Sequence, residues 1–234
     1  MNVRTDIRSP YHTQTVIPIE FLVIHYTACD LERALAIFEN PGCRVSCHFL
    51  LAEDGELFEL VPCLTTGPLR AAHAGHSTWT SEGHTWTGFN EFSVGIELVN
   101  FNGNLLEYSD QQYCSLASLI NLLKNKFPPL RNPNRVLGHE HVAGWRGKAD
   151  PGRCFSWSRL FNDCYPQMPP PTRHPMCPLP LQKALGKFLQ IQSGDPKNFP
   201  SDPAQRTLFW RAVSATTEAA VELAHNQGSL NMTE

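Results

Sequence analysis

Runs of apolar residues alternate along the first two thirds of this chain with helical-period stripes. Phe21 to Ile24 is an unbroken apolar run ending at His25, the pattern of a buried strand over 21–25. Asp30 can cap a helix to about Asn40, with Leu31, Ala34, Leu35 and Phe38 on one stripe and Pro41-Gly42 as its stop. Residues 45–51 and 56–61 flank Glu53-Asp54-Gly55, a hairpin signal. Residues 92–99 alternate as a strand, with Val94, Ile96 and Leu98 on one face and Ser93, Gly95 and Glu97 on the other. Ser109 and Gln112 form the ends of a capping box that opens a helix to about Phe127, with Tyr113, Leu116, Leu119, Ile120 and Leu123 as its stripe.

Other stretches carry weaker signals. Residues 1–20 read as an irregular arm, 63–92 as a long loop rich in Thr, Gly, His and Trp, and the segment bearing His139 and Asp150 as loop. Strands and helices alternate to about residue 164, which predicts an α/β layer fold. Seven prolines between Pro166 and Pro180 mark a break. The expected organisation is one domain over 1–164, a proline-rich linker over 165–180, and a helical C-terminal extension over 181–234 with helices near 181–192 and 203–225.

Composition narrows the function. Hydrophobic residues make up 41% and charged residues 18% of the 234 residues, an ordinary globular balance. The net charge, 19 − 22 = −3, offers no basic footprint for nucleic acid. No apolar run reaches membrane-spanning length, and residues 1–20 contain no apolar signal-peptide region. Eight cysteines occur without a Cys-x-x-Cys pair. Free thiols in a reducing compartment, and hence a cytoplasmic location, are expected; a removed leader would place the chain in the cell envelope instead.

The chemistry lies in separated short motifs. His25, His139 and Asp150 supply three nitrogen and oxygen donors and leave one position open, as a catalytic zinc site requires. His141 competes with His139 for the ligand role, and His48 in its strand reads as structural. Zinc lowers the pKa of water to about 7 and polarises a carbonyl. A carboxylate must then move the proton, and Glu97, on the polar face of an apolar strand, is placed for that work. Lys148, two residues before Asp150, can reach the same cleft.

Val23-Ile24-His25-Tyr26-Thr27-Ala28, Ser46-Cys47-His48-Phe49, Ala72-His73-Ala74-Gly75, Ser93-Val94-Gly95-Ile96-Glu97, Gly138-His139 and Lys148-Ala149-Asp150-Pro151-Gly152 occur in this order. Over about residues 15–162 the chain resembles the zinc-dependent N-acetylmuramoyl-L-alanine amidases of the AmpD type, whose fold peptidoglycan recognition proteins and phage-type amidases share. The resemblance implies a mixed central β-sheet flanked by helices, with a zinc-containing groove. It implies cleavage of the amide between N-acetylmuramic acid and L-alanine in peptidoglycan or muropeptides. It implies His25, His139 and Asp150 as zinc ligands, Glu97 as catalytic glutamate and Lys148 as oxyanion stabiliser. His73 falls in the groove segment that contacts glycan or peptide, and Tyr26 and Trp79 complete the substrate-binding set. Trp79, with Trp86 and Phe89, reads equally as a sugar-stacking platform or as the loop's own mini-core.

Three positions depart from the family pattern. The His139–Asp150 segment is one residue longer than expected, with Trp145-Arg146-Gly147 in its loop. Cys47 stands where some relatives carry Tyr, and Ala72 where Trp is usual. Two other functions compete: a non-catalytic peptidoglycan-binding module, and a lytic amidase of phage or toxin type whose C-terminal region targets it.

Overall fold

A computed structural model describes residues 2–104, 106–144, 148–169 and 171. In chain order the strands are β1 (Val3–Arg4), β2 (His12–Val16), β3 (Phe21–Tyr26), β4 (Phe49–Leu51), β5 (Leu57–Glu59), β6 (Leu69–Ala71), β7 (Thr78–Ser81), β8 (His84–Thr87), β9 (Ser93–Leu98) and β10 (Val136–Gly138). The helices are α1 (Leu31–Glu39), α2 (Asp110–Lys126), α3 (His139–Ala143) and α4 (Trp157–Cys164). The expected linker, beyond its first residues, and the expected C-terminal helices lie outside the described residues. Among the described residues no helix is long and apolar enough to cross a membrane.

Six strands form a mixed sheet in the order β1-β5-β4-β9-β3-β10. Strands β4, β9, β3 and β10 run parallel, while β5 returns antiparallel to β4 as the hairpin signal requires. The alternation read for residues 92–99 is realised. Val94, Ile96 and Leu98 pack with Leu22 and Ile24 beneath the Leu116, Leu119, Ile120 and Leu123 stripe of α2. The Ser109 box is formed, with Gln112 N–H donating to Ser109 Oγ at 3.0 Å and Ser109 N–H to Gln112 Oε1 at 3.1 Å. The α1 cap is also as expected: Arg33 N–H donates to Asp30 Oδ1 at 2.9 Å.

The opposite face of the sheet carries two separate apolar groups. Ala34 and Phe38 of α1 cover Leu50, Phe58 and Leu60 near one edge. Phe21, Val23, Leu137, Val142 and Phe89 form the other, with Trp79 and Trp86 packed on it. A cavity opens beside the α1 group, with Ala34 and Phe38 in its wall.

Four regions differ from the sequence reading. Residues 3–4 and 12–16 are strands, held by pairing to β5 and β6. Their signal is weak because β2 is exposed along most of its length. The long loop contains β6 and the β7–β8 hairpin, in which Trp79 pairs Trp86. Glu82 and Gly83 both take positive φ, 54° and 75°, as a two-residue hairpin turn demands. The strand expected at 45–51 is shortened because the His48 side chain takes the Gly95 N–H at 3.0 Å. The segment expected as loop after residue 135 forms β10 and α3, an edge strand feeding directly into a helix.

Candidate metal centre and active-site groove

Parallel strands β9, β3 and β10 end side by side, and their carboxyl ends deliver the chemistry. His25 lies opposite Glu97 in the β3–β9 register. Gly138, the last residue of β10, pairs with Ile24, so His139 begins α3 just beside His25. This is the end of a parallel sheet at which α/β proteins bind ligands.

Asp150 arrives on a loop fastened from one side. Tyr108 Oη donates to Pro151 O at 2.7 Å, Asn104 Nδ2 to Ala149 O at 3.4 Å, and Cys154 N–H to Gly103 O at 2.8 Å. The Asp150–Pro151 peptide is cis. Gly103 and Gly152 let the two loops touch: a Cβ on Gly103 would overlap Pro151 O, and one on Gly152 would lie 2.6 Å from Gly103 O. On the α3 side, Glu140 N–H donates to Asp150 O at 2.8 Å.

Three donor atoms converge. His25 Nδ1 lies 3.1 Å from His139 Nδ1 and 3.0 Å from Asp150 Oδ2, and His139 Nδ1 lies 3.1 Å from the same oxygen. All three side chains are buried. Burial, with help from His139, lowers the His25 pKa to about 4, so its ring is neutral at physiological pH. Burial opposes ionisation of Asp150, yet His139 and His25 hold its carboxyl well below the usual carboxylate range. Two imidazole nitrogens and a carboxylate oxygen brought this close together could hold a cation.

Glu97 and Lys148 line the same cavity, of about 280 Å³, with Tyr26, His73, His139 and Asp150 at its polar end. Ala34, Ile37, Phe38 and Val45 form its apolar wall. Burial, reinforced by Asp150 and opposed by Lys148, raises the Glu97 pKa to about 8. Among the described residues Glu97 Oε2 is buried without a hydrogen-bond partner. A buried orphan acceptor is costly unless a ligand uses it.

Of the residues singled out from the sequence, the fold gathers His25, Tyr26, His73, Glu97, His139, Lys148 and Asp150 around this cavity. Trp79 lies elsewhere. Its indole meets His141 edge-on at 6.1 Å between centroids and packs with Trp86 on the Phe21–Phe89 group, which is the mini-core arrangement. His141 does not join the triad: its Nδ1 accepts Gly138 N–H at 2.8 Å. His48 uses both ring nitrogens, accepting from Gly95 N–H and donating to Leu69 O at 2.8 Å. Cys47 is buried and burial pushes its thiol well up, so it offers no thiolate.

Sequence reasoning passed over Asn90 and Glu140. Asn90 Oδ1 accepts the N–H groups of His73 and Ala74, at 3.0 and 2.8 Å. Glu140 is buried beside Asp150, its pKa raised to about 8 by burial with Asp150 adding and Trp157 opposing. Residues 145–147, which carry the departure in loop length, are outside the described residues.

Comparison with known proteins decides the family. Residues 15–153 match the N-acetylmuramoyl-L-alanine amidase family model, Amidase_2. The chain belongs to that family. It is 39% identical over 117 residues to the 1,6-anhydro-N-acetylmuramyl-L-alanine amidase AmpD of Citrobacter freundii, covering 50% of this chain and 56% of that protein. The chain thus spans just over half the length of that relative. AmpD of Haemophilus influenzae is 34% identical over 177 residues, 67% of this chain and 90% of that one. A crystal structure of AmpD superposes with a TM-score of 0.55 at 30% identity, covering 69% of this chain and 93% of that one. Escherichia coli AmiD, in complex with anhydro-N-acetylmuramic acid-L-Ala-D-γ-Glu-L-Lys, superposes with a TM-score of 0.53 at 29% identity, covering 66% and 61%. The mixed sheet flanked by helices is therefore the fold of these amidases.

Proposed function

We propose that this protein is a zinc-dependent N-acetylmuramoyl-L-alanine amidase acting on muropeptides, the 1,6-anhydro form included. The observation that carries the reading is the convergence of His25, His139 and Asp150 beside the Glu97 carboxyl, whose Oε2 is buried without a hydrogen-bond partner. The names of the AmpD relatives, and the ligand held by AmiD, support the substrate class.

The donor set fits zinc. Three ligands about 2.0–2.1 Å from one tetrahedral ion lie roughly 3.3 Å apart, close to the 3.0–3.1 Å observed. Three protein ligands leave the fourth position for chemistry. When bound, zinc polarises the scissile carbonyl and makes water acidic near neutral pH.

Glu97 does the proton work. Its carboxyl, in the wall of the cavity, takes the proton of the attacking water and delivers it to the departing L-alanine nitrogen. The burial that lifts its pKa toward neutrality makes it able to do both. The Lys148 ammonium faces the negative charge that develops on the carbonyl oxygen. Tyr26 and His73 are the substrate-facing members of the polar wall, and the Ile37, Phe38 and Val45 wall takes apolar groups flanking the amide. Cys43, Cys47, Cys63, Cys114, Cys154 and Cys164 are free thiols, three of them buried, which supports action in a reducing compartment such as the cytoplasm.

The test is mass spectrometry of defined muropeptides incubated with zinc-loaded protein. Release of a stem peptide beginning with L-alanine is expected. Glu97→Ala should keep its zinc and lose about 10²–10⁴-fold in turnover. Muropeptide binding without release by the zinc-loaded parent would instead make the chain a binding module.

A further inference from the structure

We propose that His73 and Ala74 form one positioning device that presents Nδ1 of both ligand histidines to the metal: His73 through its ring, Ala74 through its carbonyl. The proposal rests on the metal-centre reading above and adds to it what sets the ligand tautomers.

The hydrogen-bond directions follow from one fixed end. Ser93 Oγ donates to Phe89 O at 2.5 Å, which spends its only proton. Towards His73 Nε2, 3.3 Å away, Ser93 can therefore only accept, so His73 carries its proton on Nε2. Its Nδ1 is then an acceptor and takes the proton on His25 Nε2, 3.1 Å away. That leaves the His25 Nδ1 lone pair turned toward His139 and Asp150. His139 is set the same way one residue along, its Nε2–H donating to Ala74 O at 3.3 Å and freeing Nδ1.

The device is anchored as a unit. Asn90 is buried, and its Oδ1 accepts both the His73 and the Ala74 N–H. The ring of His73 lies over Gly95 of β9, where a Cβ would be 2.7 Å from Nδ1 and would displace the ring. So the sheet position without a side chain is the seat, Asn90 is the pin, and Ser93 sets the polarity. His73 and Asn90 are positioning residues: neither is a ligand in the triad.

Zinc affinity, read by competition with a chromogenic chelator, tests the device apart from activity. His73→Phe removes the acceptor while keeping a ring, and should weaken binding by about 10–100-fold, the usual effect of losing an outer-shell partner. His73→Asn, which keeps an acceptor near the Nδ1 position, should recover most of it. Asn90→Ala should weaken binding in the same direction, and Asn90→Asp, which retains the carboxamide's acceptor, less. Imidazole ¹⁵N correlation spectra of the zinc-loaded parent should show His25 protonated on Nε2. Zinc affinity of folded His73→Phe within twofold of the parent, or a His25 proton on Nδ1, would overturn the device. If the parent itself binds no stoichiometric zinc, the metal-centre reading falls and the device with it.

Discussion

The two faces of the central sheet are built on different physics. Beneath α2, side chains of β3 and β9 meet the helix through apolar contact alone, with Leu22, Ile24, Val94, Ile96, Leu116 and Ile120 buried together. On the other face the same two strands carry His25, Ser93, Gly95 and Glu97; His25 and Ser93 bond to the ring of His73, whose backbone N–H is held by Asn90. Apolar contact is roughly proportional to area and tolerates small shifts. A hydrogen-bonded chain fails when one atom is lost, because the partner is left buried and unpaired. One face should therefore lose stability when mutated, and the other function.

Glu97→Ala, with its expected loss of about 10²–10⁴-fold in turnover, sets the top of that scale, equivalent to about 3–5 kcal/mol of barrier. Leu116→Ala on the α2 face should cost a similar free energy, about 2–5 kcal/mol, but entirely in folding. Urea unfolding of the zinc-loaded proteins separates the two. The Leu116 variant should show a lowered midpoint with turnover per folded molecule unchanged; a collapse of turnover in its folded fraction would break the division of labour.

Gly103→Ala probes where the faces meet. A Cβ there overlaps Pro151 O and would push the loop bearing Asp150. Overpacking of this kind costs about 1–3 kcal/mol. Here part of that cost should appear as weaker zinc binding, since Asp150 moves with the loop. Chelator competition showing parental affinity would mean that the loop yields elsewhere.

The α2 face was the legible one, for the same reason. Burial on one side of a strand or helix imprints a period, so β3, β9, α1 and α2 could be read within a residue or two. The site was legible through residue chemistry, since His25, Glu97, His139, Lys148 and Asp150 are types with few other uses at such positions, and they line one cavity or triad. What was not legible depended on partners distant in sequence. Strand β1 exists because β5 offers it an edge, and β6 because β2 does. Thr78 to Thr87 did alternate Thr and Trp around Glu82-Gly83, a hairpin signal obscured by the surrounding polar residues. Asn90 had no signal at all: its role lies in two backbone N–H groups at positions 73 and 74.

His48 sharpens the comparison through pH. Burial lowers its pKa to about 4, whereas in the unfolded chain it titrates at about 6.5. Below pH 6.5 the unfolded state therefore binds the additional proton, and the His48 contribution to stability is lost as pH falls from about 6.5 toward 4. Between pH 6.5 and 5 this amounts to roughly 2 kcal/mol. Chemical denaturation of metal-free parent and His48→Gln across that range should show the parent losing more by about this amount. Parallel pH profiles would mean that His48 takes up its proton over the same pH range in the folded and unfolded chain.

The smallest expected effect comes from the start of α2. Ser109 Oγ accepts Gln112 N–H and donates to Glu53 O at 2.5 Å, joining the helix to the β4–β5 hairpin. Ser109→Ala removes both bonds at a half-buried position, and loss of such a cap costs about 1 kcal/mol. Water can take over the freed groups there, so the loss should stop at stability, with zinc affinity and turnover unchanged. Gln112 is the stricter partner. It is buried, and its Nε2 also donates to Val99 O at 2.9 Å, just beyond β9. Gln112→Ala should exceed the Ser109 loss, because the Val99 carbonyl is left without that donor. Equal urea midpoints for the two variants would show that directional bonds on the α2 face matter as little as its apolar packing suggests. A larger loss for Gln112→Ala, still without change in turnover, would show that such bonds on this face fix the fold and leave the chemistry alone.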